Sequence, residues 1–365
     1  MKKDIKANDF GITVEQFLSW RIPRFGKSNP SRFDNNVWEW LVKTRNSAYR
    51  AMEEMQGPSP IEEGPTWCFD RMGQTTTNLP DGRIVYIGGE HEDHYDPDFY
   101  IYNDVVVVNP DQSVEIYGYP KDTFPPTDFH SATLVDDNIY IIGSLGYQDS
   151  RIVNQTQVYI LDINSFVISI FETISESPGW IHDHVTELSS DESFLSITLG
   201  KLDVGDECSL IENIDDWKLN IEDKSWERLT NRQWTRWEVK RRDKKFNQLW
   251  ELRQALWRLE NNWENSYQKD MRTLTKSLGK TPDLLLVNEL YKPNHTHKAL
   301  PENEEEYGIY RISIDDVVVR YVEEFHCVQV TVEGELPENI INLLKDDLLT
   351  KVSLLENTKY ELTVI

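Results

Sequence analysis

The 365-residue sequence has few cysteines, no long apolar run and few basic residues for its many acidic ones. Its three cysteines, Cys68, Cys208 and Cys327, are odd in number and form no CxxC pair, which favours reduced thiols over a disulfide framework. No apolar segment approaches the length of a membrane span, and the N-terminal residues lack the pattern of a secretory signal. The sequence therefore predicts a soluble, cytoplasmic protein.

Motifs that name a reaction are also missing. There is no GxSxG elbow, no GxxxxGK[ST] loop and no GxGxxG after a strand. His326 and Cys327 are adjacent, but both fall in a predicted strand, which is a poor setting for a nucleophile and its base. The sequence predicts no cofactor and leaves open whether the protein is an enzyme.

The charge of the chain is uneven. The net charge is −25, and the stretch from Trp67 to Arg232 alone has 9 basic and 31 acidic residues, a balance of −22. Such a field repels nucleic-acid phosphates and anionic lipid and attracts a basic protein partner. From Gln233 to Lys276 the balance reverses to 11 basic and 6 acidic residues. We expect this basic segment to lie against the acidic part of the same chain.

Helical periodicity marks both flanks of the acidic stretch. Residues 1–66 form a helical segment, with one helix from about Asn36 to Met55 that ends before Gly57 and Pro58. Residues 233–306 form a second helical segment. Its main element is one amphipathic helix from about Lys244 to Lys269, which we expect to bury Leu249, Leu252, Leu256 and Leu259. Residues 307–365 predict a small α+β module: a three-stranded meander, a helix from Pro337 and a last strand from Tyr360 to Ile365.

The stretch between these flanks repeats itself. The segment GRIVYIGGE begins at Gly82, and Ile84, Ile139 and Phe194 open three similar strands at intervals of about 55 residues. Each copy continues through a loop into a hairpin turned at NPDQ, DINS or IEDK. Residues 67–232 are therefore predicted to be almost entirely β and to contain three similar antiparallel sheets.

These copies resemble the bacterial type of kelch repeat, in which each unit forms one four-stranded blade of a β-propeller. The matching residues are Gly88, Gly89, His130 and Trp226, and the resemblance covers about 165 of the 365 residues. It implies that His130 ties strand ends together through hydrogen bonds to backbone. The second copy has a serine where the first has Gly89, and the third has only Gly200 after its strand.

Three blades are fewer than the four to eight of a closed propeller, so the outer blade faces need a cover. Either further blades have diverged beyond recognition, or the helical segments cap an incomplete array. Neither flank shows the strand, glycine, strand pattern of the repeats, which favours helical caps. The predicted fold class is therefore mixed: three kelch-like antiparallel blades in a partial or irregular propeller, flanking helices and a C-terminal α+β module.

The most chemically loaded stretch is the loop that follows the double glycine. It concentrates imidazole and carboxylate side chains within nine residues, and we predict these as the partner-binding residues: Glu90, His91, Glu92, Asp93, His94, Asp96 and Asp98. Together with His130, His182 and His184 they could also ligate a divalent metal, although HEDH lacks the spacing of an HExxH site.

The leading functional hypothesis is a protein-binding module, for example an immunity protein or antitoxin that neutralises a basic partner. The alternative is an enzyme, with or without a metal, that acts on a small molecule or sugar at the loop end of the repeats.

Overall fold

The structure is a computed structural model that describes residues 6–57, 64–91, 99–205, 210–301 and 308–365. The chain divides into two compact units, Met1–Asn231 and Arg232–Ile365. Both units contain helices and antiparallel sheets, so the protein belongs to the mixed class and most of its regular structure is β. Within the described residues, no helix is both long and apolar enough to cross a bilayer.

Three short helices begin the first unit: α1 (Val14–Trp20), α2 (Asn36–Thr44) and α3 (Ala48–Glu54). The single helix predicted from Asn36 to Met55 is therefore wrong. Arg45 turns the backbone into the left-handed region, with φ of 54°, and the Ser47 side chain accepts a hydrogen bond from Arg50 N–H to start α3. The polar run between the two helices supplies a cap for the second and so favours a break over a continuous helix.

Three antiparallel sheets make up the rest of the first unit. The strands of the first sheet and its loop are β1 (Ser31–Arg32), β2 (Thr75–Asn78), β3 (Ile84–Ile87), β4 (Glu90–His91), β5 (Tyr100–Ile101), β6 (Val105–Val108) and β7 (Val114–Gly118). Those of the second are β8 (Ser131–Val135), β9 (Asn138–Ile142), β10 (Val158–Asp162) and β11 (Ile168–Ile170). Those of the third are β12 (Trp180–Leu188), β13 (Phe194–Asp203), β14 (Leu210–Glu212), β15 (Trp217–Asn220) and β16 (Trp226–Arg228).

In each sheet four strands lie side by side in chain order. The orders are β2-β3-β6-β7, β8-β9-β10-β11 and β12-β13-β15-β16, with β1 added beside β7, β14 beside β13, and β4 and β5 paired as a separate ribbon. The turns at NPDQ, DINS and IEDK join the last two strands of each sheet. The predicted set of three antiparallel sheets is confirmed.

Apolar layers separate the stacked elements. The helices pack on the outward face of the first sheet, one core lies between the first and second sheets, and another lies between the second and third. The N-terminal helices thus cover the first sheet, as predicted. The third sheet alternates: Leu195 and Ile197 face the core, whereas Ser196, Lys218 and Asn220 lie on its other face. A polar outer face suits a sheet that ends a stack.

Two glycines allow neighbouring sheets to approach. Gly88 and Gly143 have φ of 57° and 68°, and a Cβ atom at each would lie 2.1 Å from the carbonyl oxygen of Thr127 and 2.2 Å from that of Ile181, respectively. Gly89 also has positive φ, 90°, and a Cβ there would meet neighbours within 3.0 Å. Both residues of the double glycine therefore occupy positions that disfavour any side chain.

The third copy lacks this glycine. Gly88 and Gly143 follow the last residues of their strand pairs, Ile87 and Ile142, and in the third sheet the corresponding Ile197 is followed by Thr198. Gly200, which the sequence suggests as the counterpart, instead lies against the backbone of β12, where a Cβ would be 2.6 Å from the carbonyl oxygen of His182. The third sheet therefore lacks the glycine at which each of the first two sheets allows the backbone of the next sheet to approach.

The second unit is a six-stranded sheet with helices on it. Its elements are β17 (Thr235–Arg241), α4 (Leu249–Glu260), α5 (Glu264–Leu278), α6 (Leu284–Asn288), β18 (Lys298–Ala299), β19 (Ile309–Ile314), β20 (Val317–Glu323), β21 (Cys327–Glu333), α7 (Glu338–Glu356) and β22 (Tyr360–Val364). The strand order is β18-β19-β20-β21-β17-β22. The predicted meander, the helix after Pro337 and the last strand are all present.

The segment predicted to be helical from residue 233 begins with a strand. β17 lies between β21 and β22 and pairs with both. Its sequence, TRWEVKR, contains Glu, Lys and Arg, which have good helix propensity. Pairing with a strand on each side outweighs this weak local preference for helix. The predicted small module therefore takes the strand between β21 and β22 from about ninety residues upstream.

The long basic helix is also two helices. α4 ends at Glu260 and α5 starts at Glu264, because Asn262 adopts φ of 60° between them. Leu249 and Leu252 are buried as predicted, but Leu256 is half-buried and Leu259 is exposed. The predicted burial of all four leucines is correct for two of them.

The different burial of these leucines predicts different losses of stability when each is replaced by alanine. We expect Leu256→Ala to lower the free energy of unfolding by about 1 to 2 kcal/mol, below the 2 to 5 kcal/mol typical of fully buried leucines. Leu259→Ala should cost under about 0.5 kcal/mol, because little apolar area returns to water. Urea denaturation of both variants measures the difference, and equal losses would contradict the two exposures.

Candidate functional site

The loop predicted to bind a partner is described only at its ends. β4 pairs with β5, the backbones of Glu90 and Met72 exchange two hydrogen bonds of 2.8 and 2.9 Å, and His91 Nδ1 lies 3.2 Å from the carbonyl oxygen of Asp70. The other five predicted residues lie outside the described residues: Glu92, Asp93, His94, Asp96 and Asp98. The assignment of this loop to partner binding stays a prediction.

Several acidic residues at the loop end of the sheets are bound to arginines inside the fold. Asp104 accepts hydrogen bonds of 2.5 and 3.1 Å from Arg71, and both side chains are buried. Asp203 pairs with Arg151 at 3.0 Å. In the third sheet Asp215 likewise pairs with an arginine, Arg228, at 3.0 Å. These carboxylates anchor loops, and their neutralised charge adds little to the field that an approaching partner meets.

Equivalent residues of the three sheets meet along the inner strands. Phe129 N–H donates to Gly73 O and Asp183 N–H donates to Phe129 O, both at 2.9 Å, and all three residues have positive φ, from 48° to 61°. Farther along, Ser131 Oγ lies 2.8 Å from Thr186 Oγ1. The inner strands β2, β8 and β12 therefore run side by side in the same direction. It follows that the corresponding ends of all three sheets lie on the same side.

Two histidines link these strands. His130 Nε2 lies 2.7 Å from Thr75 Oγ1, and His184 Nε2 lies 2.9 Å from Ser131 Oγ. Burial lowers the pKa of His130 to about 3 and that of His184 to about 4, so both are neutral at physiological pH. The resemblance implied hydrogen bonds from His130 to backbone, but its described partner is a hydroxyl. The role of both histidines is nonetheless to hold sheets together.

Asp128 and His182 form a different kind of pair. Asp128 Oδ1 accepts hydrogen bonds from Gly146 N–H at 2.6 Å and from Ser144 Oγ at 3.2 Å, while Oδ2 has no partner. His182 Nδ1 lies 3.1 Å from Asp183 Oδ2, and its Nε2 has no partner. Both residues are buried, and burial raises the pKa of Asp128.

The hydrogen-bond donors and acceptors of Asp128 and His182 limit what this pair can bind. In the tautomer with its proton on Nδ1, His182 donates to Asp183, and its Nε2, like an ionised Oδ2 of Asp128, is then an acceptor that needs a donor. A buried water satisfies such atoms. Within the part of the chain that the structure describes, no three His, Cys, Asp or Glu side chains are placed to hold a metal ion.

The end of the sheets opposite the loops carries exposed carboxylate side chains. Turns join the first two and the last two strands of each sheet, which places six turns at one end of the array. Each turn has at least one carboxylate, and together they contribute nine: Asp81, Asp111, Asp136, Asp137, Asp162, Asp191, Glu192, Glu222 and Asp223. We call this set the acidic turn surface. Eight of the nine residues are exposed and Asp162 is half-buried.

The turns themselves keep several of these groups ionised. Hydrogen bonds from Ser113, Ser165 and Ser193 lower the pKa of Asp111, Asp162 and Asp191. The same carboxylates fix the turns through hydrogen bonds to backbone N–H groups. Charge on the acidic turn surface is therefore held in place by the fold.

Sequence reasoning identified the individual turns but missed the surface. NPDQ, DINS and IEDK were assigned as hairpin turns, whereas their common position depends on the alignment of the three inner strands. The sequence feature that could have predicted the surface is the Asp or Glu that recurs in every turn of the repeats.

Comparisons with known proteins give little to set beside this geometry. No protein-family model and no curated protein sequence matches the chain. Among solved structures, a similarity is found to one titled "Structure of YjhT", with 15% sequence identity and a TM-score of 0.34. The alignment covers 45% of this chain and 53% of that one, about half of its length.

Proposed function

We propose that the chain is a protein-binding module in which a kelch-like array of three sheets presents an acidic surface to a basic protein. An immunity protein or antitoxin that neutralises a basic toxin is a concrete form of this function. Four-stranded sheets in chain order, joined at Gly88 and Gly143, support the kelch-like interpretation of the array. The observation that carries the functional proposal is the acidic turn surface.

Charge makes this surface suited to capture. Residues 1–231 contain 18 basic and 40 acidic residues, a balance of −22. Arg71, Arg151 and Arg228 are bound to carboxylates at the loop end. At the turn end Arg83 pairs with Asp81 at 2.7 Å, and the turns also carry the other eight carboxylates of the surface. A field of one sign on a rigid scaffold raises the rate at which an oppositely charged protein associates.

The test compares two sets of substitutions that each remove four charges. One neutralises the turns, with Asp136→Asn, Asp137→Asn, Glu192→Gln and Glu222→Gln. The other replaces Glu90, Glu92, Asp93 and Asp96 with serine in the loop. The partner is captured from extract of the native host and identified, and its association rate is then measured at low and high salt.

We expect the turn set to slow association by on the order of tenfold at low salt, and by less at high salt, where charges are screened. The turn set should leave the melting temperature unchanged, because its four side chains are exposed. Slowing by the loop set alone would move the binding site to the loop. Association that is indifferent to both sets and to salt would refute an electrostatic capture surface.

A second candidate function has one observation in its favour. The unpartnered atoms of Asp128 and His182 lie at the loop end, where the alternative hypothesis places an enzyme for a small molecule or sugar. A screen of the purified chain against sugars, with His182→Gln as the comparison, tests it. Turnover that survives His182→Gln would remove this pair from the reaction.

A further inference from the structure

The strand β22 leaves one edge of the six-stranded sheet open. Its neighbour on one side is β17, and no strand pairs with its other side in the part of the chain that the structure describes. The strand has five residues, and Val364 near its end is 67% exposed. Its outer edge therefore presents backbone donors and acceptors that no strand uses.

The hydrogen bonds to β17 show which backbone groups these are. Ile365 N–H donates to Arg236 O at 3.3 Å, and Arg242 N–H donates to Lys359 O at 3.0 Å. In an antiparallel pair, residues bonded to the neighbouring strand alternate with residues whose backbone groups point the other way. The odd-numbered residues of β22 therefore point toward β17. The residues that direct their N–H and C=O groups outward are Tyr360, Leu362 and Val364.

The outer edges of the other sheets are covered or short. β1 lies beside β7, and the Asn29 side chain exchanges hydrogen bonds of 2.6 and 2.9 Å with the backbone of Ile168 in β11. Beside β16, Ile174 N–H donates to Lys224 O at 2.8 Å and Ile174 O accepts from Trp226 N–H at 3.2 Å. At the other edge of the six-stranded sheet, β18 is only two residues long.

The sequence of β22 also lacks the features by which proteins keep an edge strand from pairing. It contains no proline and no lysine, and none of its residues has positive φ. Its only charged side chain is that of Glu361. An edge without these features can pair with a strand of another chain.

A second copy of β22 fits this edge by its register. With the two strands antiparallel and Leu362 opposite Leu362, Tyr360 lies opposite Val364 of the copy, and each pair exchanges two backbone hydrogen bonds. Tyr360 and Leu362 lie on the core face of the sheet, so the pairing places an aromatic side chain opposite the exposed Val364. On the other face Glu361 lies opposite Thr363, and no like charges meet.

Charge does not oppose this contact. Residues 1–231 carry −22 of the net charge of −25, whereas residues 232–365 contain 20 basic and 23 acidic residues, a balance of −3. Two copies that meet through the second unit therefore repel each other far less than copies that meet through the first. We propose that the chain forms a dimer through antiparallel pairing of β22 with β22 of a second copy. This contact uses the same residues on both chains and closes on itself.

Sedimentation velocity of the full chain over a concentration series tests the pairing. We expect a monomer–dimer equilibrium in which the dimer fraction rises with concentration. Val364→Pro removes an outward N–H and places a ring on that edge, so it should raise the dissociation constant by about tenfold or more. Ile365→Pro is the matched control. It removes the hydrogen bond to Arg236, which points inward, and should change the dissociation constant by less than about twofold.

A charge substitution tests the register. In the proposed pairing Thr363, which is exposed, lies opposite Glu361 of the copy. Thr363→Lys should therefore lower the dissociation constant and Thr363→Glu should raise it, each by about threefold at low salt. Within its own chain Thr363 also lies opposite Glu238, so the melting temperature of both variants is measured to verify that they are folded.

A chain that stays monomeric up to about 200 µM would overturn the proposal, as would a dimer that is indifferent to Val364→Pro. Equal dissociation constants for Thr363→Lys and Thr363→Glu would exclude this register. A monomeric chain that loses a captured partner on Val364→Pro would assign the edge to a strand of that partner instead. The dimerisation measurements use the purified chain alone, so their failure leaves the test of the acidic turn surface unaffected.

Discussion

Asp104→Ala should lower the free energy of unfolding by about 3 to 5 kcal/mol, the range found when one member of a buried ion pair is removed. Its partner Arg71 is fully buried, with the guanidinium 3.4 Å from the ring centre of Tyr102 and 5.0 Å from that of Trp67. Trp67 also donates its indole N–H to Asp104 at 2.7 Å. The substitution thus leaves a buried cation and a buried donor without their acceptor.

Chemical denaturation of the purified chain measures this loss. Glu227→Ala is the matched control, because it breaks a pair of 2.8 Å with Lys218 that lies partly in solvent, and it should cost under about 1 kcal/mol. Adding Arg71→Met to Asp104→Ala should restore part of the stability, since no charge then remains buried. A loss from Asp104→Ala no larger than that from Glu227→Ala would contradict the buried-pair argument.

Gly143→Ala should be destabilising by about 3 kcal/mol. The new Cβ would lie 2.2 Å from the carbonyl oxygen of Ile181 and 2.9 Å from His184 Cε1, so the third sheet must move away from the second. The residue must also keep φ of 68°, a conformation unfavourable to alanine.

Gly11→Ala separates the two causes. Gly11 has nearly the same φ, 65°, but no atom lies within 4 Å of the position its Cβ would occupy. Its substitution should cost about 1 kcal/mol, the backbone part alone. If both variants lose the same stability by thermal or urea unfolding, the close approach of the sheets at Gly143 contributes nothing.

Local signals in the sequence were enough for the sheets. Strands of four or five apolar residues, punctuated by Asp, Asn and Gly, specify hairpins without help from distant residues, and the repetition at about 55 residues supplied the number of sheets. The end of α2 was not foreseen, because helix-forming residues on both sides of Arg45 hide a short polar break.

Long-range pairing explains the larger errors. β17 reads as helix until β21 and β22 are placed on either side of it, and those strands lie about ninety and one hundred and twenty residues away in the chain. The acidic turn surface also depends on partners, since the contact between Gly73 and Phe129 aligns turns that the sequence separates. Charge composition foretold the sign of this surface and not its position.

The third copy has Thr198 where the first two have Gly88 and Gly143, and this difference has a consequence for assembly between molecules. A repeat whose two faces match can add copies of itself without limit, as head-to-tail contacts that do not close form fibres. Here the first sheet is covered by helices on its outward side, and the third offers a threonine side chain and a polar face where the earlier sheets offer a glycine. The helices at one end and the absence of the glycine at the other therefore disfavour head-to-tail addition of further chains through this contact, in spite of the repetitive sequence.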